Sequence, residues 1–289
     1  MREILARTLL TRVRGKDPIF AQTYTVNLYR GCEHGCIYCD SRSQCYGIED
    51  FSDVQVKVNA IELLEKALAS RRRKVGVIGF GAMSDPYIPT EMKTGLTRRA
   101  LQVLARHGFP ANLITKSDRI LRDIDVLQAV NRVRATVCFT ITTPDDDLAR
   151  RLEPGAPPPS ARFAAMRALA EAGLPVGTTL MPVLPFLEDD PQQLQQIVSL
   201  TAANGGSFIV PWLGVTLRDR QRDHFYQQLD RLFPGMRARY ERAFGEQYFC
   251  PARGAQHLYT RLEAQMKELG LGMCVPPFNP PQEEQLSLF

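Results

Sequence analysis

The stretch RGCEHGCIYCD (residues 30–40) sets Cys32, Cys36 and Cys39 in a CxxxCxxC array, in a 289-residue chain that has only seven cysteines. Three thiols this close together ask for a metal. Iron–sulfur clusters are held by cysteine sulfur, normally one per iron, so three protein ligands on four irons leave one iron free to take a substrate or cofactor. A structural zinc site with His34 or Cys45 as fourth ligand is the competing reading, although such sites usually draw on two separated ligand pairs and no second CxxC occurs here. Three buried or adventitious thiols are the plain alternative.

Working outward, residues 23–28 alternate β-branched and aromatic side chains and run straight into the cysteine loop, which therefore hangs from the C-terminal end of a strand. Downstream, Asn59 is placed to cap a helix over residues 59–70 with Ile61, Leu64 and Leu68 on one face. The basic run at 71–74 would then oppose that helix's dipole. Strands are expected at 75–80, 112–115, 135–142, 176–181 and 207–211. Helices are expected at 94–107, 120–130, 160–172 and 191–203. About six strands alternating with helices predict a parallel sheet, with functional residues in the loops that follow the strands. Beyond Trp212 the alternation stops, and helical patterns follow at 217–232, 234–244 and 256–269. The last stretch, CVPPFNPPQEEQLSLF, is too proline-rich and polar for helix or strand and reads as an exposed tail.

Lys and Arg number 36 against 31 Asp and Glu, a net charge of +5 that suits an anionic partner without demanding one. An odd cysteine count with three clustered implies ligands and free thiols rather than disulfides, hence a reducing cytoplasm. Arginines interrupt the leucines of the first residues, so no signal-peptide pattern forms, and no apolar run approaches the length of a membrane span. Gly76, Gly79 and Gly81 give GxxGxG rather than the GxGxxG of a dinucleotide fold, and there is no Walker motif. The acidic run Asp145, Asp146, Asp147, after Thr143 and Pro144, reads as the first turn of a helix rather than a carboxylate pair for catalysis.

The cysteine spacing, with Tyr38 just before the third cysteine, resembles the radical S-adenosylmethionine (SAM) superfamily. Residues 20–215 resemble its spore photoproduct lyase-like branch. The resemblance implies an α/β fold, a partial (β/α)6 TIM-type barrel with a helical C-terminal extension. It also implies a [4Fe-4S] cluster on Cys32, Cys36 and Cys39, bound SAM, and a reducing electron donor. In GFGAMSDPYIPTE, Ser84 matches the branch's SAM-binding serine. Lys116, in ITKSD, matches a lysine on the methionine carboxylate, and Thr140, in FTITT, stands where the branch has a serine near the ribose. LEPGAPPPSAR and TTLMPVLP match later stretches, with Glu153 and Arg162 as polar candidates. By the same resemblance Tyr38, Ser84, Lys116, Thr140 and Arg162 are expected around the cofactor. Taken alone, Lys116 reads as a surface lysine, Ser84 as a turn cap and Arg162 as a solvated helix residue. The chain departs from the lyases at Ala82, where they carry a cysteine thought to donate a hydrogen atom; Cys45, Cys138, Cys250 and Cys274 are the available substitutes.

The expected division is a basic lead (1–19), the barrel (20–215), a helical extension (216–272) and a tail (273–289). From residue 217 to 262 nine arginines face five acids, interleaved with Phe225, Tyr226, Tyr240, Phe244, Tyr248 and Phe249. That composition suits phosphate and base contacts, and equally an amphipathic cap with aromatics inward. The final Gln285, Leu286, Ser287, Leu288 and Phe289 match the peptide by which bacterial replication and repair proteins dock on the DNA sliding clamp. The expected function is radical SAM chemistry on nucleic acid, DNA-repair-like but not on the spore photoproduct. The rivals are an iron–sulfur or zinc nucleic-acid-associated protein without turnover, and a radical enzyme acting on a protein or small molecule.

Overall fold

A computed structural model describes residues 1–15, 17–71 and 76–279. The chain opens on β1 (Arg2–Ile4) and β2 (Thr11–Arg12), then β3 (Gln22–Val26) and β4 (Tyr29–Arg30) lead into the cysteine loop. After it come β5 (Gln55–Lys57), α1 (Ala60–Ala69), β6 (Val77–Phe80), the short α2 (Glu91–Thr94) and α3 (Leu96–His107). The alternation continues through β7 (Ala111–Thr115), α4 (Ile124–Asn131), β8 (Ala135–Thr140), α5 (Asp146–Leu152), α6 (Pro159–Glu171), β9 (Val176–Leu180), α7 (Pro191–Ala203) and β10 (Phe208–Pro211).

These strands form one seven-stranded sheet in the order β10-β9-β8-β7-β6-β3-β2. Only β2 runs antiparallel, at the edge beside β3. The six parallel strands follow one another in sequence order as a β/α winding that has not closed, since β10 and β2 end the sheet without pairing with each other. Every residue of β6, β8 and β9 is buried, as expected for parallel strands covered by helices on one face and by interior side chains on the other. Near the strands' N-terminal ends that interior is filled by Phe208, Cys138 and Val275, with Ile19 and Phe20 packed against them.

Several local expectations are corrected. The lead is part of the fold: β1 pairs parallel with β5, which pairs antiparallel with β4. Asn59 occupies the N-cap position of α1 but makes no cap bond. Its amide instead accepts from Ala6 N and donates to Ala6 O, both at 2.9 Å, tying the lead down. The helix expected at 94–107 starts after Gly95, whose left-handed φ of +60° separates it from α2. The segment around 120 begins as a 3-10 turn, Asp118–Asp123, before α4. The acidic run does open α5: Asp145 is its N-cap and accepts from Asp147 N and Leu148 N. The dipole reading of 71–74 falls mostly outside the described residues.

The extension contains α8 (Asp219–Leu232), α9 (Met236–Phe244) and α10 (Ala255–Glu268), and also a two-stranded sheet that helical patterning did not signal. In it β11 (Gly214–Thr216) pairs antiparallel with β12 (Phe249–Pro251). The start of the tail is not exposed throughout, because Val275 is buried and its N–H donates to Ile19 O at 3.1 Å. Residues 285–289 lie outside the described residues.

Candidate active site

The cysteine loop leaves β4 at Gly31, where φ is +83° and a Cβ would stand 2.8 Å from Phe51 O, so only glycine fits. From there the chain carries Cys32, Cys36 and Cys39 over the C-terminal ends of the parallel strands. One cavity collects all three thiols together with Ala82 and Ser84 after β6, Lys116 after β7 and Thr140 at the end of β8. Two roomier clefts, of about 490 and 380 Å³, lie elsewhere and are lined by no cysteine. Chemistry rather than volume therefore singles out the site.

Four distant segments converge on that cavity through specific bonds. Ser84 Oγ donates to Gly31 O at 2.5 Å, fixing the loop after β6 to the start of the cysteine loop. Asp85 accepts from Tyr87 N at 2.8 Å, Thr115 Oγ1 at 2.8 Å and Lys116 N at 2.7 Å, and lies 3.4 Å from His34 Nδ1. Burial alone would raise the Asp85 carboxyl, but His34 and the backbone donors outweigh it and hold it down at about 2. His34 Nε2 is buried without a protein partner, in a side chain that lines the cavity.

Behind the cavity lies a buried charge network. The Tyr38 hydroxyl donates to Glu153 Oε1, and Arg162 Nη2 donates to Glu153 Oε2. Arg162 spends its other donors on Pro157 O and Thr140 O, each at 2.8 Å. Lys116 Nζ stands 3.8 Å from Glu153 Oε1 and 5.7 Å from the centroid of the Tyr38 ring. Burial works against the charge on Glu153, yet Arg162 and then Lys116 outweigh it and keep the carboxylate ionised. Removing one partner of such a buried pair leaves the other unpaired, at a cost of about 3–5 kcal/mol. Deeper still, burial pushes the Glu188 carboxyl up to about 8, although Thr142 Oγ1 donates to it at 2.6 Å and Leu184 N at 3.0 Å.

The sequence-expected residues thus separate into two groups. Ser84, Lys116 and Thr140 line the cavity with the cysteines, whereas Tyr38 and Arg162 are not among its lining residues and stand behind it. Arg162 is one of the most deeply buried side chains, with all three guanidinium nitrogens engaged, so it supports the site instead of facing solvent. Asp85 and Glu188 were missed. For Asp85 a signal existed, since an aspartate directly before proline in a loop commonly caps its own backbone; for Glu188 there was none.

The extension closes over the cysteine loop. Gln221 Nε2 donates to Tyr38 O at 3.0 Å, Arg220 Nε to Arg42 O at 2.7 Å, and Arg218 pairs with Asp40 at 2.8 Å. Ser43 Oγ donates to Asp219 Oδ2 at 2.7 Å. Arg222 donates to the carbonyls of Leu217, Gly245, Glu246 and Gln247. Phe225, Tyr226, Tyr240 and Phe244 pack inward in edge and tilted contacts, while Tyr248 and Phe249 remain exposed. Three of the nine arginines are therefore fasteners of the fold.

The donor set suits an iron–sulfur cluster. Burial pushes the Cys36 thiol up to about 12 and Cys32 further still, so these two bare thiols are neutral and a bound metal's charge would ionise them. A tetrahedral zinc with bonds near 2.3 Å needs its sulfurs about 3.8 Å apart. Among the described residues no three His, Cys, Asp or Glu side chains are arranged to hold a single metal ion. Three cysteine thiols on one cavity are the donor set that a cluster of several irons would take.

An open, six-stranded parallel β/α barrel carrying a three-cysteine loop at its strand ends defines the class, and the comparisons name it. The radical SAM superfamily profile matches residues 26–197, more than half of the chain, and the chain belongs to that superfamily. An uncharacterized protein of Mycobacterium tuberculosis H37Rv is 30% identical over 267 residues, spanning 90% of this chain and 78% of the relative. An uncharacterized protein of Methanocaldococcus jannaschii is 30% identical over 189 residues, 62% of this chain and 70% of its own length. Among solved structures, spore photoproduct lyase complexed with dinucleoside spore photoproduct superposes with a TM-score of 0.72 at 17% identity, covering 93% of this chain and 80% of that one. The radical SAM methyltransferase TsrM from Kitasatospora setae superposes at 0.54 and 13% identity, over 85% of this chain and 51% of that one. No helix among the described residues is long and apolar enough to cross a membrane.

Proposed function

We propose that the chain is a radical SAM enzyme acting on nucleic acid, with Cys32, Cys36 and Cys39 holding a [4Fe-4S] cluster and Ser84, Lys116 and Thr140 meeting SAM. The carrying observation is that these six residues, drawn from four separate strand ends, line one cavity. Held by Cys32, Cys36 and Cys39 and reduced by an external electron donor, such a cluster would supply the electron for reductive cleavage of SAM and so the means of taking a hydrogen atom from a substrate. The protein's own part is binding and exclusion. Lys116 offers a buried cation to the methionine carboxylate, Thr140 stands toward the ribose, and the extension covers the cysteine loop against water.

Nucleic acid is favoured as substrate by the likeness to spore photoproduct lyase, by the basic net charge and by the clamp-like final residues. The test is deuterium transfer. Anaerobic turnover with perdeuterated bacterial DNA and RNA should place deuterium in the recovered 5'-deoxyadenosine or SAM. Transfer only from added protein or small metabolites would move the substrate to another class.

The lyase reaction itself is not expected. Ala82 lines the cavity where the lyases carry cysteine, and a methyl group is a poor hydrogen-atom donor to a substrate radical. None of Cys45, Cys138, Cys250 or Cys274 lines that cavity to replace it. Dinucleoside spore photoproduct should therefore remain unrepaired in an assay where a true lyase completes the reaction. Repair at a comparable rate would overturn this assignment.

The final residues supply a separate prediction. Leu286, Leu288 and Phe289 would seat in an apolar groove of the sliding clamp, with Gln285 bonding at its edge. A peptide this short must be ordered on binding, so its affinity should be on the order of micromolar. Deleting residues 285–289 should abolish binding to purified clamp and leave SAM cleavage intact. Equal clamp binding by the deletion variant would remove the proposed tether.

A further inference from the structure

We propose that residues 152–155 clamp the cysteine loop and that Glu153 is a positioning residue, aiming Lys116 at the methionine end of SAM without touching SAM itself. The proposal rests on the SAM-binding reading above and assigns a role to a segment with no metal ligand and no cavity-lining side chain.

The clamp is a backbone-to-backbone contact between segments more than one hundred residues apart. Ile37 N donates to Leu152 O at 2.9 Å, and Gly155 N donates to His34 O at 2.9 Å. These two bonds bracket Cys36 on either side. The approach is so close that a Cβ at Gly155 would stand 2.1 Å from Glu33 O and 3.1 Å from His34 Cα, both backbone atoms that cannot swing aside. Glycine at 155 is therefore a condition of the loop's position. Helix α5 ends in the same place, with Glu153 at φ −136° and ψ 62° as the residue that leaves helical geometry.

From that anchored backbone the Glu153 side chain reaches three groups. Arg162 is immobile, because its remaining donors are committed to Pro157 O and Thr140 O, and it fixes one carboxylate oxygen. The other oxygen takes the Tyr38 hydroxyl, from the residue directly before Cys39. Lys116 is the loosest, at 3.8 Å, and it alone of the three lines the cavity. An ammonium at that distance from a carboxylate already neutralised by arginine is steered but not consumed, and remains available to a second carboxylate. A segment remote in sequence thus sets both the height of the cysteine loop and the direction of the lysine.

The experiment is a double-mutant cycle on the cluster-loaded protein under anaerobic conditions, using SAM itself as the probe. Wild type, Glu153→Gln, Lys116→Ala and the double variant are compared by SAM affinity, iron content and the electron paramagnetic resonance spectrum of the reduced cluster without SAM. Glu153→Gln should weaken SAM binding about tenfold, the lower end of what a group that only orients a binding side chain contributes. Its iron content and SAM-free spectrum should match wild type. In the Lys116→Ala background the same change should add less than about twofold, because both variants break one path. Wild-type affinity in Glu153→Gln, or full additivity in the cycle, would overturn the positioning role. If Glu153→Gln does not fold, Tyr38→Phe, which deletes only the hydroxyl on Glu153, enters the same cycle with a loss of about threefold and the same two overturning outcomes. Gly155→Ala reads the clamp separately: folded protein should lose iron, and full iron occupancy would refute the clamp. Absence of SAM binding by wild type would instead defeat the functional reading.

Discussion

Replacing any one of Cys32, Cys36 or Cys39 by alanine should take the iron content from about four per chain to near zero and abolish SAM cleavage. The effect is large because nothing nearby can substitute. Cys45 is exposed, Cys138 and Cys250 are buried elsewhere, and none of these lines the cavity. Burial also holds the bare Cys32 and Cys36 thiols neutral, so these two would have to be ionised by the incoming iron. Iron and acid-labile sulfide are measured on each variant purified without oxygen. A variant that keeps a full complement of both would show that the replaced cysteine is not a ligand.

Lys116→Ala should weaken SAM binding by about 10- to 100-fold while leaving the cluster in place, the loss of one charge-assisted bond of about 1.5–3 kcal/mol. Burial opposes a charge at this position, yet Cys36 in its ionised form and the Glu153 carboxylate outweigh it and keep the lysine protonated above its ordinary range. The sign of any pH effect follows. A lysine raised in the folded protein stays cationic across the neutral range, so SAM affinity should be flat there and fall only in strong alkali. Binding is read by equilibrium dialysis on iron-loaded protein. Wild-type affinity in Lys116→Ala would remove it from contact with the carboxylate.

The parts of the site written in short runs of sequence were legible in advance. Three cysteines within eight residues point to a metal, and Ser84 in the loop after β6, Lys116 directly after β7 and Thr140 at the end of β8 all sit at the strand ends, where a parallel β/α fold places its chemistry. The buried network was legible only as a set of residue types. Tyr38 and Glu153 are 115 positions apart, and their meeting depends on how α5 docks on the cysteine loop, which no local pattern encodes. Arg162 shows the limit from the other side. Its place in the matched stretch suggested cofactor contact, and in the fold each of its three guanidinium nitrogens donates to a protein oxygen.

Elsewhere the misreadings have a common cause, the tertiary use of residues that look local. Asn59 had the position and chemistry of a helix cap and gives its amide to Ala6 instead. The arginine-rich run from 217 to 262 left phosphate contacts and an amphipathic cap both open, and its residues 218, 220 and 222 follow neither reading. They bind Asp40 and backbone carbonyls, fastening α8 to the loop after Cys39. Strand β12 is three residues long and finds its partner more than thirty positions away, so neither length nor periodicity could announce it.

The most direct test of the account is the reaction of the unmodified protein with SAM. Purified and reconstituted without oxygen, then reduced with dithionite, it should hold about four irons per chain and convert SAM to methionine and 5'-deoxyadenosine in equal amounts when no substrate is present. Protein made with both metals available that contains stoichiometric zinc, no iron or labile sulfide, and yields no 5'-deoxyadenosine would contradict it.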